Sequence, residues 1–299
     1  MTVRVPARAK VNLHLQVMFP RPDGYHELRT IFQTVDLADE IILEPAADGE
    51  LALRCDQPDV PTGEENLCLR AARLLQTETG TRRGARIDLR KRIPMQAGLG
   101  GGSADAAATL VGLNRLWELG CAPEELLLWG GRLGSDVPFF LVGGTALGLG
   151  RGEELVPLSD APARHVLLVC PPLAVSTAWA YERLNFLLTT KGFVNKIPSL
   201  HRVLADGRME AFRGVNDFEA AVFPEYPLLP HIKSQIADCG ADGTMMSGSG
   251  SSVYGLFDTA AACMEAERNL CRQSVPGRII RTRFIGRDEY RRHLFSNWD

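Results

Sequence analysis

Several signatures are missing from this sequence, and each absence removes a class of function. The longest apolar run, "VPFFLVGGTALGLG", is too short and too rich in glycine to span a bilayer. The opening "MTVRVPARAKVNLHL" lacks the apolar core of a secretory leader, so a cytoplasmic protein with no membrane partner is expected. Seven cysteines lie between Cys55 and Cys271, and no two form a Cys-x-x-Cys pair. An odd count at wide spacing argues against a disulfide framework and a zinc ribbon, and for reduced thiols. The six histidines are scattered and no HExxH occurs, which leaves little basis for a histidine-built metal centre. Formal charge is only -3, and no basic loop carries interleaved aromatics, so no nucleic-acid partner is expected. Charge of one sign gathers in the tail, where Arg278, Arg281, Arg283, Arg287, Arg291 and Arg292 read as a solvated basic face. No Gly-Lys-Ser/Thr phosphate loop, no GxGxxG at 98–103 or 248–253 and no GxSxG is present. Walker-type loops, dinucleotide folds and hydrolase elbows are thereby set aside.

What is there is a chain of 299 residues, 45% hydrophobic, long enough for one large domain or two of about 150 residues. Alternation over 3–19 predicts a strand, and Pro22-Asp23-Gly24 a turn, followed by one strand and then a second over Glu40 to Glu44. Leu67, Ala71, Leu74 and Leu75 mark a helix over 65–78, and "GARIDLRKRIP" a strand. "APEELLLWGGRLG" is a short helix with Pro123 near its start; a helical turn and a hairpin follow from Asp136. Near residue 165 the pattern restarts. "HVLLVCPP" reads as a buried strand and "STAWAYERL" as a capped helix, with a loop-like stretch at 188–198 and a helix near 200–212. Two helices around Pro224, a strand–loop–strand over "ADGTMMSGSGSSVYGLFD", a helix and a closing strand complete the chain. No internal repeat is visible. The fold class is α+β, in two domains at 1–164 and 165–299.

The stretch "IPMQAGLGGGSADAAATLVGLNRLW" carries the first chemical signal. Four glycines (Gly98, Gly100, Gly101, Gly102) precede a segment in which Ala106, Leu110, Leu113 and Trp117 share one helical face. One turn needs one or two glycines; four imply that the backbone itself approaches something closely. A loop that opens a helix aims free N–H groups and the positive end of the helix dipole at one point, which is a phosphate site. Ser103 stands where an N-cap belongs. A flexible connector is the bland alternative.

Three motifs in order, "PARAKVNLHL" at 6–15, "PMQAGLGGGSADA" at 94–106 and "MMSGSGSSVYGLF" at 245–257, resemble the GHMP kinase superfamily over nearly the full length. The loop signature is met by Pro94, Gly98, Leu99, Gly100, Gly102, Ser103 and Ala104. Further stretches, "RPDGYHEL", "ENLCLRAARLL", "GSDVPFFL" and "GRGEEL", are similar to the members that phosphorylate the 2-hydroxyl of a cytidine diphosphate sugar alcohol for isoprenoid precursors. The resemblance implies a ribosomal-protein-S5-domain-2-like N-terminal domain and a ferredoxin-like C-terminal domain. It also implies ATP and Mg²⁺ as cofactors, a small-molecule substrate, and a monomer or weak homodimer.

The resemblance assigns roles residue by residue. Asn66, Pro94, Gly98, Leu99, Gly100, Gly101, Gly102 and Ser103 would hold ATP, with Ser103 also facing the metal. Asp136 would be the catalytic base and Lys10 its partner; taken without the resemblance, Asp136 reads rather as a helix cap and Lys10 rather as an exposed strand lysine. Asn12 lies on the same strand face as Lys10. Tyr25 and His26 would hold cytosine, with Tyr181 stacking from the other side and Trp179 and Phe186 as rivals; a core aromatic is the alternative for each. Asn66 would lie near adenine or simply cap its helix. Ser247, Gly248, Ser249 and Gly250 would bring backbone amides to substrate phosphates. Two other readings stay open: a kinase of the same superfamily with another acceptor, and a non-catalytic RNA-binding protein.

Overall fold

In the computed structural model residues 1–22, 24–191 and 214–295 are described. Two sheets organise them. A six-stranded sheet holds β1 (Val3–Pro20), β2 (His26–Ala46), β3 (Leu51–Cys55), β4 (Gly84–Arg90), β5 (Thr145–Leu149) and β6 (Glu154–Pro157), in the order β3-β4-β2-β5-β6 with β1 on β2. A four-stranded antiparallel sheet holds β7 (His165–Cys170), β8 (Gly243–Met246), β9 (Val253–Phe257) and β10 (Arg278–Arg283), in the order β10-β7-β9-β8. That order, with helices after β7 and β9, is the ferredoxin-like arrangement.

The helices are α1 (Leu67–Thr79), α2 (Gly101–Leu116), α3 (Pro123–Leu133), α4 (Phe139–Val142), α5 (Thr177–Lys191), α6 (Phe218–Val222), α7 (Leu228–Asp238), α8 (Ala260–Arg272) and α9 (Arg287–Leu294). α2 is buried at nearly every position from Ala104 to Leu116, which its alanines permit by letting α1 and β1 approach closely. The helix expected near 200–212 lies outside the described residues. Of the loop-like stretch at 188–198, positions 188–191 are the end of α5 and the rest also lies outside them.

β1 explains where the site can form. Its alternate residues Ala9, Val11 and Leu13 enter a small apolar cluster between the sheets; Val3, Val5 and Ala7 enter the first core, and Leu15 and Val17 the second. A strand covered on both faces buries whatever its other side carries, so Lys10, Asn12 and His14 are all inside.

Several expectations are corrected. β2 is one strand of 21 residues, not two, because its pairing with β1 continues through a bulge rather than ending in a turn. β3 was not foreseen: "LALRC" is half-buried at most and pairs with β4 in parallel, at the edge of the sheet. The arginine tail is not one solvated face. Arg283 bridges Asp36 and Glu289, Arg281 meets Glu267, and Arg287 donates to the carbonyls of Gly143, Thr145 and Leu158. The sheets divide between β6 and β7, but Ile285, Tyr290 and Leu294 return to the first core.

Candidate active site

The centre of the site is a buried chain of hydrogen bonds on β1. Lys10 Nζ donates to Asn12 Oδ1 (2.6 Å), Asn12 Nδ2 donates to Thr30 Oγ1 (2.7 Å), and Thr30 Oγ1 donates to the His14 carbonyl (2.8 Å). The β1–β2 register slips between Arg8 and Lys10 and again between Asn12 and His14, so a bulge flanks this pair on either side. Bulges re-aim side chains, and such placement next to a reactive centre is their common use. Lys10 Nζ also stands 3.8 Å from Asp136 Oδ2 and 5.5 Å from the centre of the Phe32 ring. Burial pulls the Lys10 ammonium below the usual lysine range; the charge and hydrogen bond of Asp136 oppose that. Lys10 is therefore not the exposed strand lysine of the alternative reading.

Asp136 sits in the turn between α3 and α4, with its side chain about one third exposed at 34%. It does not cap α4: the N-cap there is Pro138, with no side-chain cap bond. Two features seat this turn. Val137 is fully buried against Gly130, and Phe139 packs on Phe32 with ring centres 4.9 Å apart. A carboxylate that is partly open and ion-paired, but not spent on a helix end, is free to accept a proton.

The glycine loop and the glycine-serine loop meet at Lys10. Lys10 N–H donates to the Leu99 carbonyl (3.0 Å), Ser247 Oγ to the Gly98 carbonyl (2.9 Å), and Ser252 N–H to the Ala97 carbonyl (3.2 Å). A Cβ on Gly98 would lie 2.0 Å from the Ser247 carbonyl oxygen, and one on Gly100 2.6 Å from the Phe140 ring. Gly98 and Gly100 also have φ of 72° and 71°. The glycines are thus required first by packing between loops, Phe140 and Lys10, and not by a ligand alone. Gly100, in the left-handed region, is the N-cap of α2; Ser103 lies inside the first turn and is not the cap. Across the junction, Asn216 Nδ2 donates to the Met246 and Gly248 carbonyls (both 2.8 Å), and Thr177 and Ser249 share a hydroxyl hydrogen bond of 2.9 Å.

Outside the loop lies a cleft of about 390 Å³. Its walls are 60–67 and 94–103, and all eight residues expected to hold ATP line it. Asn66 does cap α1: its Oδ1 accepts from Cys68 N–H (2.9 Å) and its Nδ2 donates to the Pro61 carbonyl (2.7 Å). At the base of the cleft Lys91 Nζ pairs with Asp39 and, at 2.7 Å, with Asp105. Asp105 Oδ1 is buried without a hydrogen-bond partner. One ammonium serves two buried carboxylates, and burial together with the Asp39 charge pushes Asp105 up to about 8.

The Tyr25–His26 end differs. Tyr25, at the tip of the β1–β2 hairpin, is 54% exposed, and the Arg151 guanidinium lies 4.9 Å over its ring. His26 is buried, meets Asn185 Oδ1 at 2.5 Å, and stacks directly on Tyr181 with ring centres 5.2 Å apart and planes at 18°. Tyr181 is thus held against His26, the residue next to Tyr25 in the chain. Of its rivals, Trp179 meets Tyr226 edge to face and Phe186 is exposed beneath Arg183. Burial and then the Asp136 charge raise the Tyr181 phenol, which ties this end electrostatically to the centre.

Sequence reading missed Thr30, Lys91 and Asp105. Thr30 carries no local signal, since its partners come from β1. Asp105 did offer one: a lone carboxylate among alanines on a buried helix must be paired.

The model for the GHMP kinases N terminal domain matches residues 66–144, and that for the GHMP kinases C terminal matches 201–274. The chain is 44% identical to a 4-diphosphocytidyl-2-C-methyl-D-erythritol kinase of Synechococcus sp. (strain JA-2-3B'a(2-13)), over 89% of each chain. It is 48% identical to one from Solibacter usitatus, over 87% of this chain and 83% of that one. A crystal structure of 4-(cytidine 5'-diphospho)-2C-methyl-D-erythritol kinase superposes with a TM-score of 0.79 at 36% identity, covering 95% of this chain and 99% of that one. A homoserine kinase from Cytophaga hutchinsonii shares the fold, with a TM-score of 0.74 at 19% identity over 97% and 96% of the two chains. With a buried lysine, a carboxylate and two glycine loops meeting at one point, and with relatives of this kind along most of its length, the chain belongs to the GHMP kinases, in the family of the 4-diphosphocytidyl-2-C-methyl-D-erythritol kinases.

Proposed function

We propose that this site transfers the γ-phosphoryl group of ATP to the 2-hydroxyl of 4-diphosphocytidyl-2-C-methyl-D-erythritol, with Asp136 as the base and Lys10 beside it. The observation that carries the reading is the Lys10–Asp136 pair, 3.8 Å apart at the mouth of the glycine loop. Asp136 Oδ2 or Oδ1 takes the hydroxyl proton as the oxygen attacks, with the Lys10 ammonium 3.8 Å from Oδ2. The same ammonium offsets charge on the phosphoryl group in flight. The N–H groups opening α2, from Gly101 to Ser103, face the phosphates with the positive end of the helix dipole. Ser247 to Gly250 would carry the substrate's own phosphates, and Tyr25 with His26 the cytosine, Tyr25 by its open face and His26 by its ring edge. Asn12, held by Lys10 and Thr30, would stand beside the same hydroxyl.

Mg²⁺ fits the Ser103 hydroxyl, an oxygen donor in the first turn of α2 that lines the cleft. Among the described residues no three His, Cys, Asp or Glu side chains gather as metal ligands, so phosphate oxygens and water would complete its shell. When bound, it screens the phosphate charge. Among those residues no helix is long and apolar enough to cross a membrane; on this reading the chain works on a soluble metabolite in the cytoplasm, as a monomer or weak homodimer.

The test is ADP release with Mg-ATP and 4-diphosphocytidyl-2-C-methyl-D-erythritol, run beside Asp136→Asn. Turnover that needs this substrate and collapses in the variant supports both parts. Turnover only with another hydroxyl acceptor would overturn the substrate; turnover that survives the substitution would overturn the base.

A further inference from the structure

The hydrogen bonds around Asn12 have only one consistent direction. The His14 carbonyl accepts only, so the Thr30 hydroxyl gives it its single hydrogen at 2.8 Å. Thr30 Oγ1 then has only lone pairs left for Asn12, and the group facing it at 2.7 Å must be the Asn12 NH₂. That leaves the Asn12 carbonyl oxygen facing Lys10 Nζ at 2.6 Å, where an ammonium needs an acceptor. Each member is sealed from water: Lys10 is 4% exposed, Asn12 1% and Thr30 1%. The backbone at Asn12 is pinned as well, because the buried Tyr254 hydroxyl on β9 donates to the Asn12 carbonyl at 2.8 Å. The one freedom left to Asn12 is the orientation of its side-chain amide.

We propose that Thr30 is a positioning residue for phosphoryl transfer: its hydroxyl fixes which way round the Asn12 amide sits, and through that amide holds the Lys10 ammonium at Asp136. This rests on the kinase reading above. Among the described residues Thr30 makes no hydrogen bond to Lys10 or Asp136; its bonds are to Asn12 and the His14 carbonyl. Without its hydroxyl the amide is released, and an amide turned over would aim NH₂ at the ammonium. Two donors then face each other in a dry site, which disfavours the charged lysine beyond the cost its burial already imposes.

The experiment is kcat against pH for the full chain and for Thr30→Val, Thr30→Ser and Lys10→Met, with KM for ATP and thermal melting recorded for each. Thr30→Val keeps shape and removes the hydroxyl. Its kcat should fall by roughly tenfold to a hundredfold, the range of one charge-assisted hydrogen bond. The alkaline limb of its profile should move to lower pH, with KM for ATP unchanged. Thr30→Ser should restore both kcat and the limb. A purely structural role would lower the melting temperature and leave the limb in place. A wild-type profile for Thr30→Val, or a Thr30→Ser as damaged as Thr30→Val, overturns the proposal. Should Thr30→Val not fold, Thr30→Cys takes its place, since a thiol is a poor acceptor; the limb must then move in Cys and not in Ser. Full activity in Lys10→Met would remove the kinase role of the lysine itself, whereas an inactive Lys10→Met beside an unaltered Thr30→Val removes only the role of Thr30.

Discussion

The two ends of this site are built differently. At the Lys10 end the polar groups of Lys10, Asn12 and Thr30 are paired through strand register and nearly sealed, and only Asp136 is partly open. At the Tyr25 end one ring stands open on a hairpin tip and the neighbouring imidazole leans on a helix of the other half of the chain. On the roles proposed above, phosphoryl transfer depends on placement to fractions of an ångström, which suits residues held on strands and packed turns. Holding a flat base depends on area and one or two hydrogen bonds, which a hairpin tip supplies. Change at the first end should therefore act on kcat and on folding, and change at the second on KM.

The largest effect expected is that of Asp136→Asn, which keeps the turn and removes the proposed base. The loss in kcat should be about 10²–10⁴-fold, read by ADP release; a loss under tenfold would break the contrast at its strong end. Next comes Gly98→Ala, whose methyl would lie 2.0 Å from the Ser247 oxygen at a φ of 72°. The left-handed backbone alone costs about 1–2 kcal/mol, and separating the two loops adds to it. Gly102→Ala is its control, since the nearest atom, Leu67 Cδ1, is 3.7 Å away. Thermal melting should show a clear fall for the first and none for the second; equal melting temperatures would mean that the loops do not need each other.

Tyr25→Ala should raise KM for the cytidine substrate by roughly threefold to tenfold, the worth of one stacking contact, with kcat kept. A fall in kcat with KM unchanged would erase the division between the ends. The remaining prediction, outside the contrast of the two ends, concerns Asp105, whose carboxyl is pushed up to about 8. A folded-state value above the unfolded one means that the stability it contributes is full below the ordinary carboxylate range and is lost as pH rises toward 8. Melting temperature should thus decline from pH ~5 to ~8 in the wild type more steeply than in Asp105→Asn, by the linkage of that one proton. Parallel curves would show that Lys91 keeps Asp105 ionised throughout.

How legible was this in the sequence? Elements with strong local patterns, such as α1, α2 and β7, stand where the pattern puts them, α1 by one apolar face and α2 and β7 by near-continuous burial. β3 and α9 escaped for the opposite reason: neither has a long apolar face of its own, and each is held by what lies beside it. Of the site residues, those in glycine-rich or Pro-flanked motifs could be read directly, since their backbone demands are local. Thr30 could not, because its meaning lies in His14 and Asn12 across a register slip. The stacking of Tyr181 on His26 was also hidden, since the two residues lie 155 positions apart and in different halves of the chain.

The return of residues 285–294 to the first core bears on how the protein is made. Tyr290 fills the space left by Gly143, where a Cβ would lie 2.0 Å from its ring, and its hydroxyl donates to the Phe140 carbonyl at 2.6 Å. Phe140 belongs to α4, the helix that follows directly on Asp136. During synthesis the first sheet emerges long before this segment and must wait, with a groove beside Phe140, until both halves have been translated. The turn that bears Asp136 is closed by one of the later parts of the chain to leave the ribosome, so the nascent first half carries the residues of its cleft before that turn is packed.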